Sequence, residues 1–442
     1  MRQQRTAPWP PFNNAKDSTK RTLYRGSLGE PIGGLRMLES FRRSLKICGV
    51  CLLGLGLQVK ALDAQGSPGP DAHTCVPPAA AGLGAPNPRD SEPIFPDDQY
   101  PVKLPAKSLL GTPNKAPNPF DNGVDFGKLP EGRVWGSTAS VTAAPDGTIW
   151  VMDRCGHAGV GGSACDGASA NIDPIFQFDT SGNLLKHFGA GLFMGPHKME
   201  VDKEGNVWVA DNVGNQVFKL DRNGKVLMTL GKKGVAGTGN DEFDAPTDIA
   251  FGNNGTFFVS DGHTGGGADF GNARIMKFDR KGNFLTSWGR KGMDPGEFDV
   301  PHALATDNEG RLYVADRQNN RVQVFDQNGK FIRQWFQFGR PSGIFVDKND
   351  MLYVADSESR DGRSNTGRGT IGTFGYGFNA GTARGIRIGS VKDGKVKYFI
   401  PDPCPWPYKN SDYSYEGVTA DAQGNVYGGD VGGENVIKYS RK

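Results

Sequence analysis

The feature that most constrains the fold is a short motif that recurs six times, a tight turn followed by an alternating strand that ends in aspartate. The copies are DGTIWVMD (146–153), EGNVWVAD (204–211), NGTFFVSD (254–261), EGRLYVAD (309–316), NDMLYVAD (349–356) and QGNVYGGD (423–430). Their final aspartates are 58, 50, 55, 40 and 74 residues apart. A spacing of about 40 residues is typical of one four-stranded propeller blade, and a longer spacing indicates a blade with an insertion.

The segments after most copies predict the outer strands of each blade. VFKLDRNGKVLMTLG, IMKFDRKGNFLTSWG and VQVFDQNGKFIRQW each hold an Asn-Gly or Lys-Gly turn between β-rich runs, which is a hairpin signal. A superhelical solenoid would share this period, but the last copy ends at VIKY (436–439), after its third strand. We expect the segment before Val134 to supply the missing strand. The predicted fold is therefore all-β, a closed six-bladed β-propeller.

One position of the repeat falls on the first, innermost strand, eight residues before each turn glycine or its equivalent, Asp350. We call it the channel position, and its occupants are Ala139, His197, Thr247, His302, Ser342 and Glu416. Alternate blades of a six-fold ring face the axis at intervals of about 120°, so blades 2, 4 and 6 would bring two histidines and a carboxylate together. Such a set suits a catalytic zinc and equally a non-haem iron(II). The alternative is that each histidine is structural.

Two arginines follow the closing aspartates directly, Arg154 in blade 1 and Arg317 in blade 4. The second strand returns to the mouth that holds the channel position, so both arginines are predicted to lie near the metal. There they would bind an anionic group, most naturally a carboxylate held bidentately; the alternative is that they pair with the repeat aspartates. His157 and His263 lie on loops of the same face, as candidate acids or bases or as solvated loop residues.

The first 64 residues are predicted to be a targeting region. ICGVCLLGLGLQV (47–59) follows Arg42, Arg43 and Lys46, and it has the length of a secretory signal rather than of a membrane span. Translation is expected to start at Met37, with cleavage after Ala61 or Ala64; an uncleaved anchor is the alternative. Removing residues 1–64 changes the net charge from +3 to −4, which argues against nucleic acid or an anionic membrane as a partner. We expect a secreted or periplasmic monomer.

The remaining organisation follows from composition and cysteine spacing. Residues 65–130 are rich in Pro, Gly and Asn and are predicted to be a tether and wrapping segment, with a strand candidate near Tyr100–Leu104, and residues 131–442 form the propeller. In an oxidising compartment Cys155 and Cys165 can staple the Gly-rich loop between them. The sequence does not decide whether Cys75 pairs with Cys404.

Three stretches resemble successive blades of peptidyl-α-hydroxyglycine α-amidating lyase: GPHKMEVDKEGNVWVADNVGNQVFKLD, APTDIAFGNNGTFFVSDG and VPHALATDNEGRLYVADRQNNRVQVFD. The resemblance extends over roughly residues 133–442 and is strongest from 195 to 338. It implies that the predicted six-bladed β-propeller is built from NHL-type repeats. It also implies a zinc in the channel, held by three histidines, that polarises the hydroxyl of a C-terminal α-hydroxyglycine. His197 and His302 match two of those histidines, and Arg154 and Arg317 match the family's arginines.

The chain departs from that family at three positions of the site. Glu416 stands in the place of the third histidine, Gly417 in that of a calcium-associated aspartate, and His263 in that of an active-site tyrosine. The resemblance still makes zinc the expected metal, with iron(II) as the other candidate. Calcium is not expected, because Gly417 replaces the aspartate.

Two function hypotheses follow. The first is a metal-dependent lyase that cleaves an α-hydroxyglycine-type C–N bond to an amide and glyoxylate, with Arg154, His263 and Arg317 as catalytic residues and His197, His302 and Glu416 as metal ligands. Its substrate would be a peptide or small molecule with a carboxylate. The alternative is a non-catalytic propeller that binds a peptide, glycan or protein partner.

Overall fold

The computed structural model describes residues 113–156, 164–263, 271–359, 379, 381–402 and 415–442. They form six four-stranded antiparallel sheets arranged as a six-bladed β-propeller. The predicted fold class is confirmed. Cys75, Cys404, His157, the targeting region and the strand candidate near Tyr100 lie outside the described residues, and the domain boundaries at 64 and 130 stay predictions.

The strands follow the chain from the channel outward in each blade. Blade 1 contains β2 (Ser140–Ala143), β3 (Ile149–Met152), β4 (Ile175–Phe178) and β5 (Leu184–Phe188). Blade 2 contains β6 (Pro196–Val201), β7 (Val207–Asp211), β8 (Gln216–Leu220) and β9 (Val226–Gly231). Blade 3 contains β10 (Pro246–Phe251), β11 (Phe257–Asp261), β12 (Arg274–Phe278) and β13 (Phe284–Trp288).

The second half of the ring repeats this order. Blade 4 contains β14 (Pro301–Thr306), β15 (Leu312–Asp316), β16 (Arg321–Phe325) and β17 (Phe331–Trp335). Blade 5 contains β18 (Pro341–Val346), β19 (Met351–Asp356), β20 (Gly385–Ser390) and β21 (Val396–Pro401). Blade 6 contains β22 (Tyr415–Ala420), β23 (Val426–Asp430), β24 (Asn435–Tyr439) and, as its outermost strand, β1 (Val124–Asp125).

The ring is closed by the N-terminal strand, as the sequence predicts. Val124 pairs with Lys438 and Asp125 with Ile437, while β2 of blade 1 packs beside β22 of blade 6. The described residues also include two short 3₁₀ turns, Gly167–Ser169 and Asn253–Gly255. Among the residues that the structure describes, no helix has the length and apolar character needed to cross a membrane.

Burial explains why the sequence pattern changes along a blade. The second strands are buried on both faces, whereas outer strands such as β5 and β13 alternate between half-buried and exposed residues. The apolar core lies between neighbouring blades; Trp150 and Met152 of blade 1, for example, pack with Met199, Val207 and Val209 of blade 2. Each fully buried side chain of this kind contributes about 1.5–3 kcal/mol.

The closing aspartates of blades 3 and 4 each hold the start of their own blade. Asp316 accepts a hydrogen bond from the backbone N–H of Asp299 at 2.7 Å and forms an ion pair with Arg321 at 2.7 Å. In blade 3, Asp261 likewise accepts a hydrogen bond from the backbone N–H of Asp244 and forms an ion pair with Arg274. Burial nevertheless raises the pKa of both carboxyls to about 6. In these two blades the repeat aspartate is thus a structural clamp for the turn that enters the inner strand.

Candidate functional site

A β-bulge places the channel-position residue in five of the six blades. In blade 2, Pro196 pairs with Asp211 and Lys198 pairs with Ala210, so His197 between them has no partner in the ladder. The same register shift occurs in blades 3 to 6, at Thr247, His302, Ser342 and Glu416. A bulge leaves one residue unpaired and redirects its side chain. These bulges turn the equivalent residues of different blades toward the channel.

Three imidazoles meet at this mouth of the channel. The ring centroids of His197 and His302 are 4.6 Å apart, and the ring of His263 lies 5.1 Å from the first and 5.0 Å from the second. One nitrogen of each ring lies within 4.8 Å of the other two. Within the described part of the chain, this is the group of histidine, cysteine and carboxylate side chains whose spacing suits a bound metal ion.

The backbone fixes which nitrogen of two of these rings is free to bind. His197 Nδ1 donates to the carbonyl oxygen of Thr247 at 2.8 Å, and His302 Nδ1 donates to that of Ser342 at 2.6 Å. Their Nε2 atoms are buried and have no hydrogen-bond partner among the described residues. Burial, above all, lowers the pKa of both rings well below the ordinary value, so they are neutral and carry a lone pair on Nε2.

His263 reaches the cluster from a different element, the turn after the second strand of blade 3. Gly262 has φ 137°, and a Cβ there would collide with the carbonyl oxygen of Asn272. This glycine lets the N–H groups of both Gly262 and His263 donate to Ala245 O, which directs the ring inward. Burial and the adjacent Arg317 lower the pKa of His263 to about 3.

Glu416 lies beside the histidines and between two guanidinium groups. Its Oε1 is 3.9 Å from His302 Nε2 and 3.5 Å from Arg317 Nη1, and its Oε2 is 3.5 Å from Arg154 Nη2. Arg317 is 1% exposed and also donates from Nη2 to His263 Nε2 at 3.0 Å. The residues predicted for the site, Arg154, His197, His263, His302, Arg317 and Glu416, therefore lie together.

A further arginine and glutamate behind Arg317 were missed by sequence reasoning. Arg340 Nη1 donates to Arg317 O at 3.1 Å, and its Nε forms an ion pair with Glu358 Oε2 at 3.2 Å. Glu358 Oε2 is also 3.7 Å from Arg317 Nη1. Arg340 lies two residues before Ser342, the channel-position residue of blade 5. This closeness to the channel position could have marked Arg340 as a site residue. Arg340 and Glu358 thus fix the backbone and guanidinium of Arg317.

Lys198, next to His197, is a second residue that the sequence did not reveal. Its ammonium group is buried in the channel and donates to the carbonyl oxygens of Ala139, at 2.6 Å, and Glu416. Burial lowers the pKa of this ammonium, and the charges of Asp248, Glu416 and Glu200 act against that shift. This ammonium therefore ties together the channel-position backbones of blades 1 and 6.

The donor set fits a divalent metal ion. Neutral imidazoles are the nitrogen ligands that zinc and iron(II) accept, and two buried Nε2 atoms with no hydrogen-bond partner are otherwise costly. A nearby disulfide stabilises the same mouth: Cys155, which follows Arg154, is bonded to Cys165, with 5.2 Å between their Cα atoms. The predicted staple of the Gly-rich loop is present in the structure.

The chain is a six-bladed β-propeller with a histidine cluster at its channel mouth, and its residues 298–325 match the NHL repeat family. It is similar to curated amidating lyases. A Caenorhabditis elegans protein named "Probable peptidyl-alpha-hydroxyglycine alpha-amidating lyase" is 40% identical over 139 residues, which cover 30% of this chain and 38% of that protein. "Peptidyl-glycine alpha-amidating monooxygenase A" of Xenopus laevis is 33% identical over 280 residues, 61% of this chain and 26% of that one.

The aligned regions thus span well under half of these relatives. Among solved structures, a gluconolactonase from Xanthomonas campestris aligns with a TM-score of 0.48 at 12% identity, covering 73% of this chain and 90% of that one.

Proposed function

We propose that this protein is a divalent-metal-dependent lyase that cleaves an α-hydroxyglycine-type C–N bond to an amide and glyoxylate. The observation that carries the proposal is the pair of buried, unprotonated Nε2 atoms of His197 and His302 beside Arg154 and Arg317. The similarity to proteins named amidating lyases supports the same reaction class. Zinc is the favoured metal, and iron(II) is the other candidate.

The reaction needs few groups. The hydroxyl of the substrate loses its proton, its oxygen forms the C=O bond of glyoxylate, and the C–N bond breaks. The electron pair of that bond goes to the amide nitrogen, which takes up a proton. A bound metal would acidify the hydroxyl as a Lewis acid.

The remaining work belongs to side chains of the chain itself. Arg154, which is partly accessible, is suited to orient the substrate carboxylate, because a guanidinium binds a carboxylate through two hydrogen bonds. Arg317 is buried and held by Arg340 and Glu358, so it acts as a fixed positive charge near the developing glyoxylate. His263, neutral because of its low pKa, is the predicted proton carrier.

Export to an oxidising compartment is part of the proposal. The Cys155–Cys165 disulfide supports it, because disulfides persist in secreted and periplasmic proteins. The predicted signal region and the monomeric state are further parts of the proposal.

The direct test is an assay of the purified protein with α-hydroxyhippurate, which would release benzamide and glyoxylate. We expect glyoxylate release in the presence of Zn²⁺ or Fe²⁺, loss of that release in His302→Ala, and retention in His187→Ala. His187 is a matched control because its side chain is 44% exposed and its Nδ1 contacts Asp173, on the outer strand β5. Failure of every divalent metal to support release would contradict the proposal. A metal-free protein that stays folded would favour the non-catalytic propeller.

A further inference from the structure

We infer that the third protein ligand of the metal is His263, so that three consecutive blades supply His197, His263 and His302. Glu416 is then the counter-ion of Arg154 and Arg317 rather than a ligand. The inference rests on the proposed function only for the presence of a cation at this site.

The spacing of the rings supports the three-histidine set. The three centroid distances of 4.6, 5.0 and 5.1 Å form a nearly equilateral triangle. Their ligand nitrogens lie within 4.8 Å of one another, and the carboxylate of Glu416 is not part of that group within the described residues. Three nitrogens facing one point are the arrangement that a tetrahedral ion with one open position needs.

The hydrogen bond from Arg317 shows that His263 also has an unprotonated Nε2. A guanidinium can only donate, so the nitrogen that it contacts at 3.0 Å must be the acceptor. His263 thus offers the same lone pair as the other two rings. One lone pair cannot serve Arg317 and an ion at the same time, so Arg317 has to release it when an ion binds.

Glu416 has a role that needs no metal. Its two oxygens lie 3.5 Å from two different guanidinium groups, and one of them belongs to the almost fully buried Arg317. A buried arginine without a carboxylate partner is strongly unfavourable. Glu416 therefore serves as a counter-charge to both arginines, alongside Glu358, which lies 3.7 Å from Arg317 Nη1, whichever ligand completes the metal site.

The assignment also removes the proton-carrying role from His263, because a histidine whose Nε2 is bound to an ion has no lone pair left there to accept a proton.

The experiment measures metal affinity rather than activity, so its failure is distinguishable from failure of the lyase proposal. Full-length protein is titrated with Zn²⁺ in competition with a chromophoric chelator, as wild type, His263→Ala, Glu416→Gln and the control His187→Ala. We expect His263→Ala to weaken binding by about 100-fold or more, since even loss of a group behind a ligand costs about 10–100-fold. Glu416→Gln should weaken Zn²⁺ binding clearly less than His263→Ala does, because Glu416 is not a ligand.

An equal or larger loss in Glu416→Gln overturns the inference, and so does unchanged binding in a folded His263→Ala. Because His263→Ala could fail to fold, the wild-type protein is also loaded with Cu²⁺ and examined by electron paramagnetic resonance. Three coordinated imidazole nitrogens support the inference, and two overturn it.

Discussion

The Nδ1 of His302 donates a hydrogen bond to the carbonyl oxygen of Ser342, 2.6 Å away in the next blade. His197 makes the equivalent bond to Thr247. In both pairs the acceptor belongs to the channel-position residue of the following blade. The propeller ring itself therefore sets the tautomer of the two rings, and it does so before any ion binds.

This relationship predicts the protonation pattern of both rings in solution. In the metal-free protein we expect Nδ1 to be protonated and Nε2 to be bare in His197 and His302, because a carbonyl oxygen can only accept. Long-range ¹H–¹⁵N correlation spectra of the imidazoles distinguish the tautomers. A protonated Nε2 in either ring would contradict the geometry, and the exposed His187 provides the reference signal in the same spectrum.

Removal of Arg317 is predicted to tighten metal binding while it impairs the reaction. The guanidinium donates to His263 Nε2 at 3.0 Å, so it competes with an ion for that lone pair. We expect Arg317→Gln to raise Zn²⁺ affinity by about 10-fold, in line with the loss of one hydrogen bond to a charged group.

The matched control is Arg154→Gln, since Arg154 also pairs with Glu416 but makes none of the described hydrogen bonds to the three imidazoles. Its Zn²⁺ affinity should change less. Weaker metal binding in Arg317→Gln, measured by the same chelator competition, would show that the arginine supports the metal site instead of competing for it.

Replacement of the buried ammonium group of Lys198 by an apolar side chain is predicted to destabilise the fold. Lys198→Met leaves the carbonyl oxygens of Ala139 and Glu416 without their donor and the nearby Asp248 without a counter-charge. Breaking a buried charge pair in this way costs about 3–5 kcal/mol. Urea denaturation should show that loss. Lys203→Met is the control. The Lys203 side chain is 83% exposed, so its replacement should leave the free energy of unfolding almost unchanged.

The outer hairpin turns are predicted to weaken in acid. Asp279 accepts hydrogen bonds from the Asn283 side chain and from the N–H groups of Lys281 and Asn283, and these bonds, the first above all, lower its pKa below the ordinary 3.8. A lowered pKa means that the folded state binds fewer protons than the unfolded state. Its contribution to stability is therefore present above pH 3.8 and is lost as the pH falls through the lowered pKa.

Asp279→Ala should accordingly lower the melting temperature near neutral pH, and this effect should shrink as the pH falls through the lowered pKa of the wild-type carboxyl. The exposed Asp241→Ala serves as control, because its side chain accepts none of the described hydrogen bonds. A constant difference between Asp279→Ala and wild type at every pH would show that the turn does not depend on the ionised form.

The six-bladed ring can be predicted from the sequence because every blade repeats the same local features. The turn, the alternating strand and the closing aspartate are local features, and the register from turn to channel position is fixed by strand length, so His197 and His302 could be placed together. The missing strand of blade 6 could be predicted because the last repeat stops at VIKY, and the structure supplies it from Val124–Asp125.

The part that sequence could not predict depends on backbone geometry at one turn and on contacts between blades. His263 lies outside the channel position, and its approach to the other rings depends on the unusual backbone of Gly262 and its close contact with Asn272. Arg340 and Lys198 gain their importance from partners in other blades, which no spacing within one repeat reveals. In a single sequence both residues look like ordinary charged side chains, and only the fold shows that they are buried.

The pairing of Val124 with Lys438 also has a consequence for biosynthesis. A ribosome delivers β1 first and its neighbour β24 last, so the first strand has to remain unpaired while about 310 residues are translated. Loop closure over such a distance is slow. Blade 6 is thus expected to be the last part of the ring to form, and an early-released fragment would expose an open sheet edge that a chaperone could recognise.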